Sequence, residues 1–398
     1  MGLKSVFLRL TTVVIGLAGA LAIAEVVARV IEPKPVVHGR TAYVRHPELG
    51  WLPPPGEVTI STHEYTAKYS VNSLGMNDRP IEDTVNRSRI RMLALGDSHT
   101  FAVGVSQDET WPKVLQQLVF HDTPDRGTVY NGGVVGYNLG QYLLRMRQLV
   151  EVVRPQVVLV GFSMATDLYD LIPPDRGGFV YGQEFGRVYF DLDDQQALIE
   201  RRDLVGKDLK DREARTSRAV SLTVRGVAGQ FALYRRLKRS TAALWIATRF
   251  RPQGESLWPG LDTALKRTLN AEDQYRWLLA ERLSREARAR RITVVLINIP
   301  YLAQVYDDVW EASFGMFPKT YYRWIAGERL RAICERTGAL HVDVTPDFVG
   351  RARERKHWLH YREDGHPTPE GHRVIAEAVR RTLDEVRVLD VISEHRRN

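Results

Sequence analysis

Ile90-Arg91-Met92-Leu93-Ala94-Leu95-Gly96-Asp97-Ser98-His99-Thr100 is the stretch that decides the fold. An apolar run of strand length ends at Gly96, and Asp97-Ser98 is capping chemistry for a helix that starts at once. A serine on such a turn presents its Oγ, and the N–H groups after it can meet an oxyanion. As a mere N-cap, Ser98 would need no partner elsewhere. A partner does stand near the other end of the chain, in Asp364-Gly365-His366-Pro367. Serine is a weak nucleophile at neutral pH without a base, and histidine titrates in the range that a base needs.

Around the leading run, four further short apolar segments recur: Thr128–Asn131, Val157–Phe162, Ile292–Asn298 and Leu340–Val344. Each reads as a strand buried on both faces. Helical patterns lie between them at Trp111–Phe120, Leu139–Val153, Ala271–Arg290 and Tyr321–Thr337, and a last one spans Val374–Val386. Strand alternating with helix predicts an α/β fold, a three-layer, doubly wound, five-stranded parallel sheet. Chemistry in such sheets gathers beyond the carboxyl ends of the strands. Ser98, then Gly133 and Gly136, then Asp167 each follow one of the first three strands.

Residues 89–388 are therefore read as the catalytic domain, with a long helical insertion over 171–269 and a tail over 389–398. The insertion turns strongly basic between Arg201 and Arg251. It reads as a cap beside the site or as a solvated charged surface. Residues 32–88 read as an extended lead-in with a hairpin over Val58–Val71, closed by the turn Asn72-Ser73-Leu74-Gly75.

Residues 1–31 set the expected location. Lys4 and Arg9 precede an uncharged run from Leu10 to Ala24. The segment reads as an uncleaved signal-anchor reaching about Val30, with Glu25 and Arg29 paired at i,i+4, or as a signal peptide cleaved after Ala22-Ile23-Ala24. A buried amphipathic helix is the third reading. The first two put the remainder outside the cytoplasm.

The chain has 398 residues, 44% hydrophobic and 26% charged, enough for a sizeable core. A net charge of +8 fits an anionic membrane or acidic glycan. Zinc-finger spacing and RNA-binding aromatic motifs are missing, so no nucleic acid is expected. One cysteine, Cys334, rules out an intrachain disulfide and a cysteine metal cluster. The sequence shows no His/Asp/Glu cluster at metal spacing and no Gly-x-x-x-x-Gly-Lys loop. No cofactor and no metal are expected.

Taken in order, four blocks resemble the SGNH (GDSL-type) hydrolase superfamily: Gly96-Asp97-Ser98-His99, Asn131 to Asn138, Ser163 to Asp167, and Asp364 to His372. Leu49-Gly50-Trp51 and Asn72 to Met76 resemble the lead-in of membrane-anchored bacterial members, among them polysaccharide O-acyl esterases and acetyltransferases. The resemblance implies Ser98 as nucleophile, His366 as base and Asp364 as the acid that orients it. It implies an oxyanion hole from the N–H groups of Ser98 and Gly136 and a side chain at position 166. Two departures stand out. The family has an asparagine where this chain has Thr166, and its acid often stands three residues before the histidine, where this chain has Glu363. The implied function is a serine esterase or acyltransferase on acyl groups of a cell-envelope or exported glycan. Its alternatives are a lipid or thioester hydrolase at the membrane surface and an inactive glycan-binding or assembly protein on the same fold.

Overall fold

The structure is a computed structural model describing residues 12–13, 15–16, 19–27, 36–121, 126–163, 167, 186–195, 197–205, 274–314, 319–355, 358–389 and 392. The chain divides into two units. The smaller comprises Met1–Pro35 and Ala214–Gln253, and its described residues are helical. No helix among the described residues is long and apolar enough to cross a membrane. Much of the segment expected to anchor the chain, and most of the insertion over 171–269, lie outside the described residues.

The larger unit, Val36–Glu213 and Gly254–Asn398, holds the fold. Its lead-in contributes β1 (Val36–Gly39), β2 (Val44–His46), β3 (Gly50–Leu52), β4 (Gly56–Ser61) and β5 (Thr66–Val71). Then come β6 (Ile90–Gly96), α1 (Ser98–Phe101), α2 (Trp111–Phe120), β7 (Gly127–Asn131), α3 (Leu139–Val153) and β8 (Val157–Phe162). The described part of the insertion is an antiparallel hairpin of β9 (Tyr189–Leu192) and β10 (Leu198–Arg201), followed by one 3-10 turn at Arg202–Leu204. The chain finishes with α4 (Gln274–Ala289), β11 (Thr293–Asn298), α5 (Leu302–Val305), α6 (Asp307–Phe314), α7 (Lys319–Thr337), β12 (Leu340–Asp343), α8 (Thr345–Arg355) and α9 (Pro369–Glu385).

The five predicted strands form one sheet in the order β12-β11-β8-β6-β7, every pair parallel. Side chains alternate across it as the period of two requires. Leu93 and Leu95 of β6 join Val158, Val160, Val294 and Leu296 in a cluster with α3, α4 and α7. Met92 and Ala94 join Leu159, Val295 and Ile297 in a second cluster with α2, α8 and α9. Helices thus cover both faces, and both faces are dry, which gives the three layers.

The lead-in is not a spacer. Leu49, Trp51, Met76 and Ile81 are buried in the first cluster. The Trp51 indole N–H donates to the Val135 carbonyl at 3.0 Å. Asn77 donates to the Phe101 carbonyl at 2.9 Å, at the end of α1. Asp78 accepts from the Asn131 N–H at 2.9 Å and pairs with Lys113 at 2.7 Å. Leu49, Trp51, Asn77 and Asp78 thus tie the lead-in to the core of the sheet domain, against the two loops that follow β6 and β7. The hairpin of β4 and β5 forms, but Thr62 to Tyr65 closes it, with Thr62 N–H donating to Tyr65 O at 2.8 Å. Asn72 to Gly75 is a separate turn after β5, held by Gly75 N–H donating to Asn72 O.

Candidate active site

Strand β6 delivers its serine through a tight corner. Asp97 caps α1 by accepting the His99 N–H at 2.8 Å, and Ser98 opens the helix. A Cβ at Gly96 would lie 2.0 Å from Thr100 Oγ1, and one at Gly161 2.4 Å from the same atom. Both positions must stay bare for the first turn to close over the strand ends. The loop after β7 is stitched to this corner: Gly132 N–H donates to Ala94 O at 2.8 Å and Val134 N–H to Gly96 O at 3.0 Å. At Gly133 a Cβ would stand 2.4 Å from the Phe101 nitrogen. Gly136 has φ +76°, which a side chain disfavours. Neither the Ser98 nor the Gly136 N–H donates to an acceptor among the described residues.

The last loop returns to that corner. Gly365 at φ +86° lets the chain reverse between Asp364 and His366. Tyr361 N–H donates to His366 O at 2.8 Å and Gly365 N–H to Tyr361 O at 3.0 Å. The His366 ring then spans two partners. Ser98 Oγ lies 2.8 Å from its Nε2. Its Nδ1 makes a short hydrogen bond to Asp364 Oδ1. Tyr65 donates its hydroxyl to the other oxygen, Asp364 Oδ2, at 3.2 Å. Burial by itself would raise the Asp364 carboxyl. The hydrogen bonds and charge of His366, helped by the Tyr65 hydroxyl, outweigh it and hold the carboxyl below its ordinary range. Glu363 turns elsewhere and pairs with His63 at 3.1 Å, both about 40% exposed at 41% and 39%.

The structure therefore brings together Ser98, His366 and Asp364, with the loop of Gly136 packed beside the turn that carries Ser98. Thr166 lies outside the described residues. Its neighbour Asp167 is structural: it accepts the Ser163 N–H at 2.6 Å and a short hydrogen bond from the Tyr142 hydroxyl. Trp277 and Trp310 are buried, the first against Phe162, so neither offers a free face for stacking.

A group of buried histidines lies near the relay. His99 donates from Nδ1 to the Asp97 carboxylate at 3.1 Å, and its ring is 5.2 Å from that of His366. His360 donates from Nε2 to Pro300 O at 3.1 Å. His372 accepts the Trp111 N–H at 3.3 Å on Nδ1. Burial pushes His360 and His372 down to about 3, so both imidazoles are neutral at pH 7. Among the described residues no group of three or more His, Cys, Asp or Glu side chains is placed to hold a metal ion.

The parallel sheet and this hydrogen-bonded Ser–His–Asp line are the arrangement that the resemblance to SGNH-type hydrolases implies. No protein-family model matches it, and no curated protein matches it significantly. Among solved structures it is similar to a catalytic mutant of Axe2, an acetylxylan esterase from Geobacillus stearothermophilus. That match has 13% identity, covers 74% of this chain and 94% of that one, and has a TM-score of 0.39. It is similar to the psychrotrophic esterase EstA from Pseudoalteromonas sp. at 15% identity, 74% and 97% coverage and a TM-score of 0.36. TesA matches at 13% identity, 74% and 97% coverage and a TM-score of 0.37. At these scores the likeness stands as an observation only.

Proposed function

We propose that the protein is a serine esterase or O-acyltransferase that works through an acyl-enzyme on Ser98. The observation that carries this reading is the continuous line Ser98 Oγ to His366 Nε2, His366 Nδ1 to Asp364. His366 takes the proton of Ser98 as Oγ attacks the ester carbonyl carbon. The oxyanion that forms meets the N–H groups of Ser98 and Gly136, with the Thr166 hydroxyl as the third donor in place of the family's asparagine. One preorganised donor is worth about 3–4 kcal/mol to the transition state. The C–O bond to the leaving alcohol breaks, and His366 gives that oxygen its proton. Water or a sugar hydroxyl then attacks the acyl-enzyme, His366 takes the new proton, and Ser98 recovers it as the acyl group departs. Asp364 holds the imidazole in the tautomer that leaves Nε2 free and stabilises its cation.

The substrate in this reading is an acylated glycan of the cell envelope or an exported polysaccharide, with acetyl as the group moved. The reading puts the chain at the bacterial inner membrane with its catalytic domain facing the periplasm. Lys4 and Arg9 ahead of the Leu10–Ala24 run support it, as does the net charge of +8.

Fluorophosphonate labelling of the full chain, read by intact mass, is the direct test. One adduct on the parent and none on Ser98→Ala is the expected result. A folded parent that takes no adduct overturns the serine reading.

A further inference from the structure

We propose that the tip of the lead-in hairpin, Glu64–Tyr65, is a positioning element of the catalytic centre: Glu64 pins the loop that carries Asp364, and Tyr65 orients the Asp364 carboxylate. The inference rests on the reading of Ser98, His366 and Asp364 as the reacting line.

The tip is locally built for this. Thr62 Oγ1 accepts the N–H groups of Glu64 and Tyr65, both at 3.1 Å, which fixes the turn between β4 and β5. The Glu64 carboxylate then accepts three consecutive backbone N–H groups: Arg362 at 2.8 Å, Glu363 at 3.2 Å and Asp364 at 2.9 Å. Successive amides aimed at one point form an anion site, and here the protein fills it with its own side chain. Tyr65 continues the contact with its hydroxyl on Asp364 Oδ2 and its ring 4.9 Å from that of Tyr361. Tyr361 donates to Gly104 O at 2.9 Å, and Gly104 N–H donates to Tyr69 at 2.8 Å. The loop of the acid is thus tied to β5 and to the segment just beyond the nucleophile helix.

The chemistry explains why such a tie matters. A carboxylate that shares one oxygen with His366 can still turn about its side-chain bonds, and each turn misaims the imidazole. Tyr65 occupies the second oxygen, and Glu64 removes the freedom of the backbone beneath. Burial raises the Tyr65 phenol well above its ordinary range, so it remains a donor at every working pH. The titratable groups around Asp364 are His366 and Glu363 on its own loop, Glu64, Tyr65 and Tyr69 from the hairpin, and Tyr361.

The test uses the full chain with p-nitrophenyl acetate, comparing the parent with Glu64→Ala, Glu64→Gln and Tyr65→Phe, each checked for fold by circular dichroism. Amide exchange at Arg362–Asp364 is followed in parallel. Loss of a hydrogen bond to a charged group predicts a kcat about tenfold lower in Glu64→Ala, with KM changed by less than about twofold. Exchange at the three amides speeds up, and Glu64→Gln, which keeps an acceptor oxygen, recovers most of the rate. In Tyr65→Phe kcat falls, and the Asp364 carboxyl, having lost one of the bonds that hold it low, titrates at higher pH. Parent-like kcat and parent-like exchange in Glu64→Ala overturn the proposal, as does a loss carried by KM alone. If the parent neither turns over nor takes a fluorophosphonate, the serine reading has failed. Exchange then decides the clamp: faster exchange in Glu64→Ala supports it, and unchanged exchange overturns it.

Discussion

Ser98 Oγ and His366 Nε2 stand 2.8 Å apart across 268 residues of chain. The sheet makes this meeting possible, because β6 lies inside it and the last loop comes back over the carboxyl ends of the strands. His366→Gln keeps a polar side chain but no base. Its kcat/KM on p-nitrophenyl acetate is expected to fall by about a thousandfold or more. A fall of less than about tenfold in steady-state assays would assign the base to another residue.

Asp364 and Glu363 compete for one role in the sequence, and their partners separate them. Asp364→Asn leaves the shape but favours the wrong imidazole tautomer, so kcat drops by roughly a thousandfold to ten-thousandfold. Glu363→Gln loses a half-exposed pair with His63, worth at most about 1 kcal/mol. Its kinetics should stay within a few-fold of the parent. Measuring both substitutions side by side decides between the two carboxylates, and a reversed order would move the acid to Glu363.

At Gly133 the added methyl of Gly133→Ala meets the backbone of α1, 2.4 Å from the Phe101 nitrogen. Backbone cannot swing away as a flexible side chain can, so the nucleophile turn must shift. Overpacking of this kind costs about 1–3 kcal/mol. A lower melting temperature together with a lower kcat is expected, and an unchanged protein in both measurements would mean that the loop yields freely.

The buried histidines make stability depend on pH. His360 and His372 are held down to about 3 in the folded chain against an ordinary value near 6.5. Between those limits the unfolded chain binds protons that the folded chain does not, so acid favours unfolding. Stability is full above about pH 6.5 and falls toward pH 3, by up to about 1.4 kcal/mol per unit for each histidine. Asp364, also held low, adds a loss in the same direction at the acid end. Thermal melts from pH 8 to pH 4 should show the decline, and His372→Gln should flatten it. A flat profile in the parent would contradict the neutral buried state.

The sheet was legible because each of its strands is a short run rich in apolar and β-branched residues next to a helix of different period. Ile90–Leu95 and Val157–Phe162 have the length of a strand and are shorter than an ordinary helix. The acid–base pair was legible because Asp364-Gly365-His366 carries its own turn residue. Glu64 and Tyr65 were not legible. Nothing in a hairpin tip announces that its carboxylate will face three amides 300 residues away. Thr62 ahead of Glu64 and Tyr65 was the one local signal of the true turn. The stronger glycine of Asn72-Ser73-Leu74-Gly75 drew the closing position away from it. The packing of the lead-in was not legible for the same reason. Leu49, Trp51 and Met76 are too widely spaced to show a period, and only tertiary packing makes them core.

The distance in chain between Ser98 and His366 also has a consequence for synthesis. On the proposed reading, a growing chain contains Glu64, Tyr65 and Ser98 long before the base His366 is added. Only when the loop of residues 360–366 has been made can Ser98 gain its partner and the Glu64 carboxylate its three amides. On the proposed reading, any product truncated before residue 366 leaves Ser98 without its base.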